Sequence, residues 1–412
     1  MREYMAGVLR QTVPCRNLFF GGLPMNNVGI DISKYKHDCF IVTDFGEVLN
    51  EGFSFENNAK GFSALLDELR KSDKENLRIG FESTGNYSIN LKLFLEKNGY
   101  SFMEINPVLV KEHIKSQSLR RTTTDKLSAM AIANYLVSKE YLPHLKSFYH
   151  TFSLKQLTRL RSDLVHQRSR YLVQITNVLD CVFPEFKPFF GGKFSATALF
   201  ILENYPSPEK IANMNVKSFD ILRRKSRGKF SMDKFVMLKH LAKNTVGMYT
   251  DFYGIQMDAL LDIHAQLDSK LSELDAEITR IIIEINPPTL SIKGVGEVSA
   301  AVIVSEFGDF SRFTNPGKML AFAGLEPGYF QSGTAEHNGR MVKHGSTHLR
   351  CAILNCCRAL RLHNEVFAAY YLKKISEGKE YGVALSHMAK KLIRLIFTLE
   401  TKGERFDPAK LR

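Results

Sequence analysis

Two short apolar runs in the first third of this 412-residue chain each end on a carboxylate, and a third carboxylate opens the helix that follows them. Asp31 closes Val28-Gly29-Ile30, Glu82 closes Ile79-Gly80-Phe81, and Asp125 stands in Thr122-Thr123-Thr124-Asp125-Lys126. An acid at the end of an apolar strand is costly unless it binds something. Two carboxylates ~4 Å apart repel by about 4 kcal/mol at an effective dielectric of roughly 20. A cluster of three therefore calls for protons or a cation, and a hard divalent ion is the usual occupant. Mg2+ held by carboxylates beside phosphate oxygens suits phosphoryl chemistry on nucleic acid.

The order of elements decides whether one fold can gather the three. Alternation and turn signals predict strands over 28–32, 39–43 and 48–55, with Asp44-Phe45-Gly46-Glu47 as a hairpin turn. A helix follows over 57–71, then a strand at Leu77–Glu82, a helix at Ile89–Lys97 and a strand over 100–105. Helices over 106–118 and 124–139 complete the region. This is the order of an α/β RNase H-like domain, assigned to residues 27–145.

From 146 to 288 the strands disappear. A helix is predicted over 154–182, and 183–193 reads as a linker rich in Phe, Gly and Pro. Over 249–285, Leu260, Ile263, Leu267, Leu271, Leu274, Ile278, Ile281 and Ile285 step by three and four. That stripe reads as a coiled coil, within or between subunits, or as a core helix. The last region, 289–412, is mainly α. It opens on Ile292-Lys293-Gly294-Val295-Gly296, a helix-hairpin-helix-like turn whose N–H groups suit a phosphate. Helices are expected over 346–357 and 384–399, with Lys390, Lys391 and Arg394 outside. Residues 1–26 read as an N-terminal extension without a secretory core, with Met25 as the alternative start.

The net charge of +13 and pI near 9.3 put polyanions first among partners. No apolar stretch approaches the length that spans a bilayer, so no membrane is expected. Basic clusters recur over 111–121, 159–170, 223–229 and 390–394, each of which alone reads as a solvated helix face. The six cysteines lack C-x-x-C spacing and read as buried thiols of a reducing cytoplasm.

A second chemical candidate is Ser332, in Gly328-Tyr329-Phe330-Gln331-Ser332-Gly333. A Ser-Gly pair after a Pro-Gly turn is ordinarily loop. Its hydroxyl becomes a nucleophile only beside a base or a metal. The following Arg340, Lys343, His344, His348 and Arg350 suit a phosphate. The acids have bland readings too: Glu82 as a helix-capping carboxylate, Asp125 as an N-cap.

Taken together, Gly29-Ile30-Asp31-Ile32-Ser33-Lys34, Glu82-Ser83-Thr84-Gly85-Asn86-Tyr87, Asn106-Pro107 and Thr124-Asp125-Lys126 resemble the RuvC-like domain of the DEDD insertion-sequence transposases. This is the IS-one-ten family, with the Piv-like invertases and the bridge-RNA-guided recombinases. Downstream, Ile292 to Gly296, Glu306-Phe307-Gly308-Asp309, Arg312-Phe313, Ala323-Gly324-Leu325-Glu326-Pro327, Ser332-Gly333 and Gly345 through Leu349-Arg350 resemble its C-terminal transposase domain. The resemblance implies an enzyme that moves or inverts DNA with Mg2+, or Mn2+ in its place. Asp31, Glu82 and Asp125 fall on its metal-binding catalytic acids, and Ser332 on its nucleophilic serine. It further implies double-stranded DNA, a structured noncoding RNA and a homodimer or homotetramer, in the cytoplasm of a bacterium or archaeon at the nucleoid. Nucleic-acid contacts are expected from Lys34, Arg120, Arg121, Lys126, Gly294, Gly296, Arg340, Lys343 and Arg350.

One position departs. Where the family carries a second Asp one helical turn after the first, this chain has Ser128, a hydroxyl candidate for the metal. Three alternatives to a serine recombinase stay open. One is a Mg2+-dependent Holliday-junction-type nuclease with water as nucleophile, and another is a catalytically impaired DNA- or RNA-binding copy. An actin-like phosphotransferase is the third, and the helical middle region argues against it.

Overall fold

A computed structural model describes residues 24–82, 85–117, 125–141, 143, 148–332 and 335–411. The extension assigned to residues 1–26 lies almost wholly outside the described residues, as do Arg120 and Arg121. The chain forms two compact units, each discontinuous in sequence. The first comprises the described residues up to Ser153 with Phe307–Gly345 and Ile393–Glu404; the second comprises Leu154–Glu306, Ser346–Leu392 and the segment from Arg405 onward.

The first unit is built on β1 (Asn26–Ile32), β2 (Lys36–Thr43), β3 (Val48–Glu56), α1 (Ala59–Leu69), β4 (Leu77–Glu82), α2 (Ile89–Lys97), β5 (Phe102–Ile105), α3 (Pro107–Gln117) and α4 (Asp125–Ser138). The sheet order is β3-β2-β1-β4-β5. The first three strands are antiparallel, and β4 and β5 run parallel to β1. This is the mixed sheet expected of an RNase H-like domain, and the predicted strand at Leu77–Glu82 and helix at Ile89–Lys97 keep their bounds.

Strand alternation sorts the core onto two faces. Val28, Ile30, Cys39, Ile41, Ile79 and Phe81 pack with Leu65, Leu69, Leu91 and Leu95 of α1 and α2. On the other face, Phe40 and Val42 meet Ala129 and Ala133 of α4. Ile105 and Val110 join Ile132 and Leu136 there.

Two 35-residue helices dominate the second unit: α5 (Phe148–Val182) and, beyond five shorter helices, α11 (Asp251–Ile285). The ion pairs Arg161–Asp275 and Arg168–Asp268 advance along one helix while receding along the other, so the two run antiparallel. The expected stripe on α11 is only partly the buried one. Leu260, Leu271 and Ile278 are buried with Met257, Leu261 and Ile282, whereas Ile263 and Ile285 are exposed. The 3.6-residue period drifts from a strict seven-residue repeat over this length, so one stripe cannot stay inward throughout.

The shorter helices are α6 (Phe186–Phe189), α7 (Ala196–Asn204), α8 (Pro208–Ala212), α9 (Val216–Lys225) and α10 (Met232–Lys243). The expected linker over 183–193 is therefore part of a folded body, with Phe183 and Phe186 fully buried. Its Phe residues are core, not spacer.

The remainder comprises α12 (Glu297–Phe307), α13 (Pro316–Phe322), β6 (Pro327–Ser332), β7 (Ala335–Met341), α14 (Thr347–His363), α15 (Glu365–Ser376) and α16 (Tyr381–Lys402). The segment around Ser332 is thus a hairpin strand, not loop. Cys39, Cys356 and Cys357 are buried as expected, but Cys181 and Cys351 are exposed, each on the solvent side of its helix. Among the described residues no helix is long and apolar enough to cross a membrane.

Candidate active site

Backbone register brings Asp31 and Glu82 together. In the parallel β1–β4 ladder Ile30 lies opposite Phe81, so the two acids are the next residues on adjacent strands. Neighbouring strands lie about 4.8 Å apart, and side chains two residues apart share a face. Glu82 also pairs with Ile105, which belongs to the core beneath α4. Both carboxylates therefore stand on the face that α4 covers.

Glycine two residues before each acid lets that helix sit close. A Cβ on Gly29 would lie 2.2 Å from the Ala129 carbonyl oxygen and 2.4 Å from the Ala133 nitrogen. One on Gly80 would lie 2.9 Å from the Leu136 side chain. Asp125 begins α4, one turn ahead of Ala129. Its side chain lies outside the described residues. Ser128 is half-buried on the same first turn.

A fourth carboxylate joins this face. Asp38 on β2 lies directly opposite Asp31, is 3 % exposed, accepts a hydrogen bond from Ser54 Oγ at 2.5 Å and has Lys36 Nζ at 3.4 Å. Its signal in the sequence is an acid two residues before Phe40, on the same side of an apolar strand. Burial pushes the Glu82 carboxyl above its ordinary value, and Lys111 draws it partly back. Among the described residues no three His, Cys, Asp or Glu side chains converge on one point, Asp125 being outside that set. The donors present, oxygen only, with Glu82 costly to charge where it sits, fit a hard divalent cation.

Ser332 closes β6, its Cα paired with Ala335 of β7. Its hydroxyl lies outside the described side chains. Aromatic side chains cluster before the base of this hairpin. Phe307 packs on Phe310, Phe313 and Phe322, and the Arg312 guanidinium lies 4.8 Å from the ring centroids of both Phe313 and Phe322. At the other end, a Cβ on Gly345 would lie 2.2 Å from the Phe322 carbonyl oxygen, so the chain crosses there at backbone distance.

The expected nucleic-acid contacts fall in several settings. Lys34, Lys126 and Lys343 are exposed, Arg350 is half-buried, and the Arg340 side chain lies outside those described. Gly294, at φ +105, has Leu360 of α14 3.1 Å from where its Cβ would be, while Gly296 faces open space before α12. In the cluster over 159–170, Arg159, Arg161 and Arg168 are engaged by Glu306, Asp275 and Asp268. Those three hold helices together.

Comparison with known proteins follows this geometry. The DEDD transposase model of the IS110 family matches residues 28–184, which hold Asp31, Glu82 and Asp125. A second model, described as transposase IS116/IS110/IS902 family, matches residues 289–372 and includes Ser332. The chain belongs to the IS110 family of insertion-sequence transposases. The transposase is 23 % identical over 390 residues to an uncharacterized 44.8 kDa protein of insertion element IS116 from Streptomyces clavuligerus, covering 93 % of this chain and 96 % of that one. It is 22 % identical over 395 residues to an IS900 protein of Mycobacterium paratuberculosis, covering 92 % and 97 %. Over 119 residues it is 30 % identical to the transposase of insertion sequence element IS1111A from Coxiella burnetii, covering 28 % and 33 %. The transposase is thus an enzyme acting on DNA.

Proposed function

We propose that this transposase cuts and rejoins DNA with Asp31, Glu82 and Asp125 as the metal-binding acids, Ser128 as a hydroxyl beside them, and Ser332 as the nucleophile. The observation that carries the reading is the parallel register of Asp31 and Glu82 on the sheet face that α4 covers. Mg2+ or Mn2+ bound there would neutralise charge on a scissile phosphate and lower the cost of its attack. Asp38 adds negative charge to the same face, held in place by Ser54 and Lys36. Ser332 Oγ would form a bond to phosphorus as the bond from phosphorus to a deoxyribose oxygen breaks and that oxygen gains a proton. A hairpin whose base adjoins the aromatic cluster of Phe307, Phe313 and Phe322 suits a nucleophile that must be presented at a fixed position.

A structured noncoding RNA as guide and a homodimer or homotetramer as the working assembly are supported by the family resemblance. The nucleic acid would meet Lys34, Lys126, Lys343 and Arg350 together with Arg120, Arg121 and Arg340. The cytoplasmic setting at the nucleoid follows from DNA as substrate.

The test is the reaction product on supercoiled DNA carrying the element's ends. Denaturing gels should show protein joined to DNA in the wild type and neither joint nor recombinant product for Ser332→Ala. Asp31→Ala should lose both while still binding DNA. Free ends with no joined protein, unaffected by Ser332→Ala, would establish a junction nuclease instead.

A further inference from the structure

Between α5 and α11, residues 185–250 are matched by neither family model. They carry twelve Lys and Arg against five Asp and Glu, more than half of the chain's net charge. Five of those cations fall within seven residues, Arg223, Arg224, Lys225, Arg227 and Lys229, at the end of α9 and in the turn into α10. All five are exposed, and none makes an ion pair among the described residues. Part of this charge complements the carbonyl end of α9. That account does not reach Arg227 and Lys229, which lie beyond the helix.

The turn is held in one shape. Phe230 is buried and stacks on Phe190 at 6.3 Å between centroids, with Phe189 at 6.4 Å. Its N–H donates to Ser226 Oγ at 2.9 Å, and the Gly228 N–H donates to the Arg223 carbonyl at 2.8 Å. Arg227 adopts φ +52. Among the described residues only Asn286 shares that left-handed backbone without being glycine, and Asn is at home in it as the cap of α11. Arg227 is the left-handed residue just past the C-cap of α9, with the Arg227 N–H donating to the Arg224 carbonyl at 3.0 Å, and a large side chain is costly at a place that glycine usually takes. Glycine would suit the backbone better.

We propose that the turn Arg223–Lys229 is a contact surface for the phosphate backbone of duplex DNA, lying outside the catalytic face and resting on the reading of this chain as an enzyme that handles DNA. Unpaired cations in a preformed turn repel one another, and a polyanion relieves that repulsion. Because the backbone of the turn is already held beside an aromatic core, binding carries no added cost of ordering a loop. The occupant is DNA, on which this transposase acts.

The test uses the full chain, a 30-base-pair DNA of arbitrary sequence, an RNA duplex of the same sequence, and affinity measured across salt concentrations. Arg223→Gln/Arg224→Gln should weaken binding and lower the log–log salt slope on DNA by up to about 1.8, at about 0.9 per lost phosphate contact. Arg227→Gly should also weaken binding while its Tm stays level or rises, an outcome that a purely structural role cannot give. Loss on DNA, with or without loss on RNA, supports the proposal; loss on RNA alone would overturn it in favour of an RNA surface. Unchanged slopes for both variants on both duplexes would overturn the proposal, as would competition by polyglutamate at matched charge equal to that by DNA. Strand-transfer activity of the wild type, measured separately, reports on the serine reading and is independent of these slopes.

Discussion

Asp31 and Asp38 stand directly opposite each other across the β1–β2 ladder, both on the face covered by α4. Like charges directly opposite in a ladder are destabilising, on the order of 0.2–1 kcal/mol. Asp38→Asn should therefore raise the Tm slightly in EDTA and reduce the gain that Mg2+ gives. At a concentration 100 times the dissociation constant, a bound ion adds about 2.7 kcal/mol. Thermal melts of wild type and variant with and without Mg2+ check both signs. A wild-type Tm indifferent to Mg2+ would count against the metal-binding face.

The two strand glycines should rank by what a methyl group meets. At Gly29 it meets α4 backbone at 2.2 and 2.4 Å, which cannot move without shifting the helix. At Gly80 it meets the Leu136 side chain at 2.9 Å, which can rotate. Gly80→Ala should cost about 1–3 kcal/mol, and Gly29→Ala more, with greater loss of activity because α4 carries Asp125. Urea unfolding gives the ranking; equal costs would show that α4 is not seated by Gly29.

These glycines also mark what was legible in the sequence. Period-two alternation and turn residues were enough for every strand of the large sheet, and strand-end position was enough to select Asp31 and Glu82. Asp38 was missed because its partner across the ladder is set by register, which one strand's sequence does not carry. The hairpin after Pro327 was missed because Tyr329-Phe330-Gln331-Ser332 has little alternation and one short partner. The basic cluster over 159–170 looked like a binding face because Asp268 and Asp275, which neutralise two of its arginines, lie about a hundred residues away and meet it only in the folded pair of helices.

Buried His37 gives the sheet a pH limit. Its ring is fully buried between Phe55 and Phe62, and among the described residues neither nitrogen makes a hydrogen bond of good geometry. Burial holds its pKa below 6.5, against the opposing pull of Asn57 and Asp38. The unfolded chain thus binds the extra proton more readily. Stability is full above pH 6.5 and falls below it, at no more than about 1.4 kcal/mol per pH unit from this residue. Chemical denaturation at pH 7.5 and 5.5 should show the loss, and His37→Leu should flatten it.

Glu306 is the anchor of the second unit. Its carboxylate is 1 % exposed and takes a bidentate pair from Arg159 at 2.7 and 3.1 Å, with Lys155 at 3.6 Å and Ser346 Oγ at 3.0 Å. Burial pushes its pKa up, but these partners outweigh that and hold it below 4.5. Its contribution is present above that value and is lost as the pH falls through the folded pKa. Arg159 is 42 % exposed and stays hydrated when abandoned. Glu306→Gln should therefore cost about 1–3 kcal/mol, not the larger penalty of a fully buried pair. The measurement is the urea midpoint at pH 7, where no change would remove the anchor.

Ser128 offers the sharpest probe of the proposed metal face, because the resemblance puts an Asp at the position where this chain carries Ser. Ser128→Asp places a carboxylate one turn after Asp125 on α4. Without divalent ions the added like charge should destabilise the helix by about 0.2–0.5 kcal/mol. With Mg2+ the sign should reverse, since another hard oxygen donor tightens the ion's hold. The difference between the two Tm shifts isolates the ion's contribution from the helix's own. Cleavage of end-bearing DNA should rise in step with the Mg2+ shift. A variant less stable in both buffers and no more active would mean that position 128 does not reach the ion.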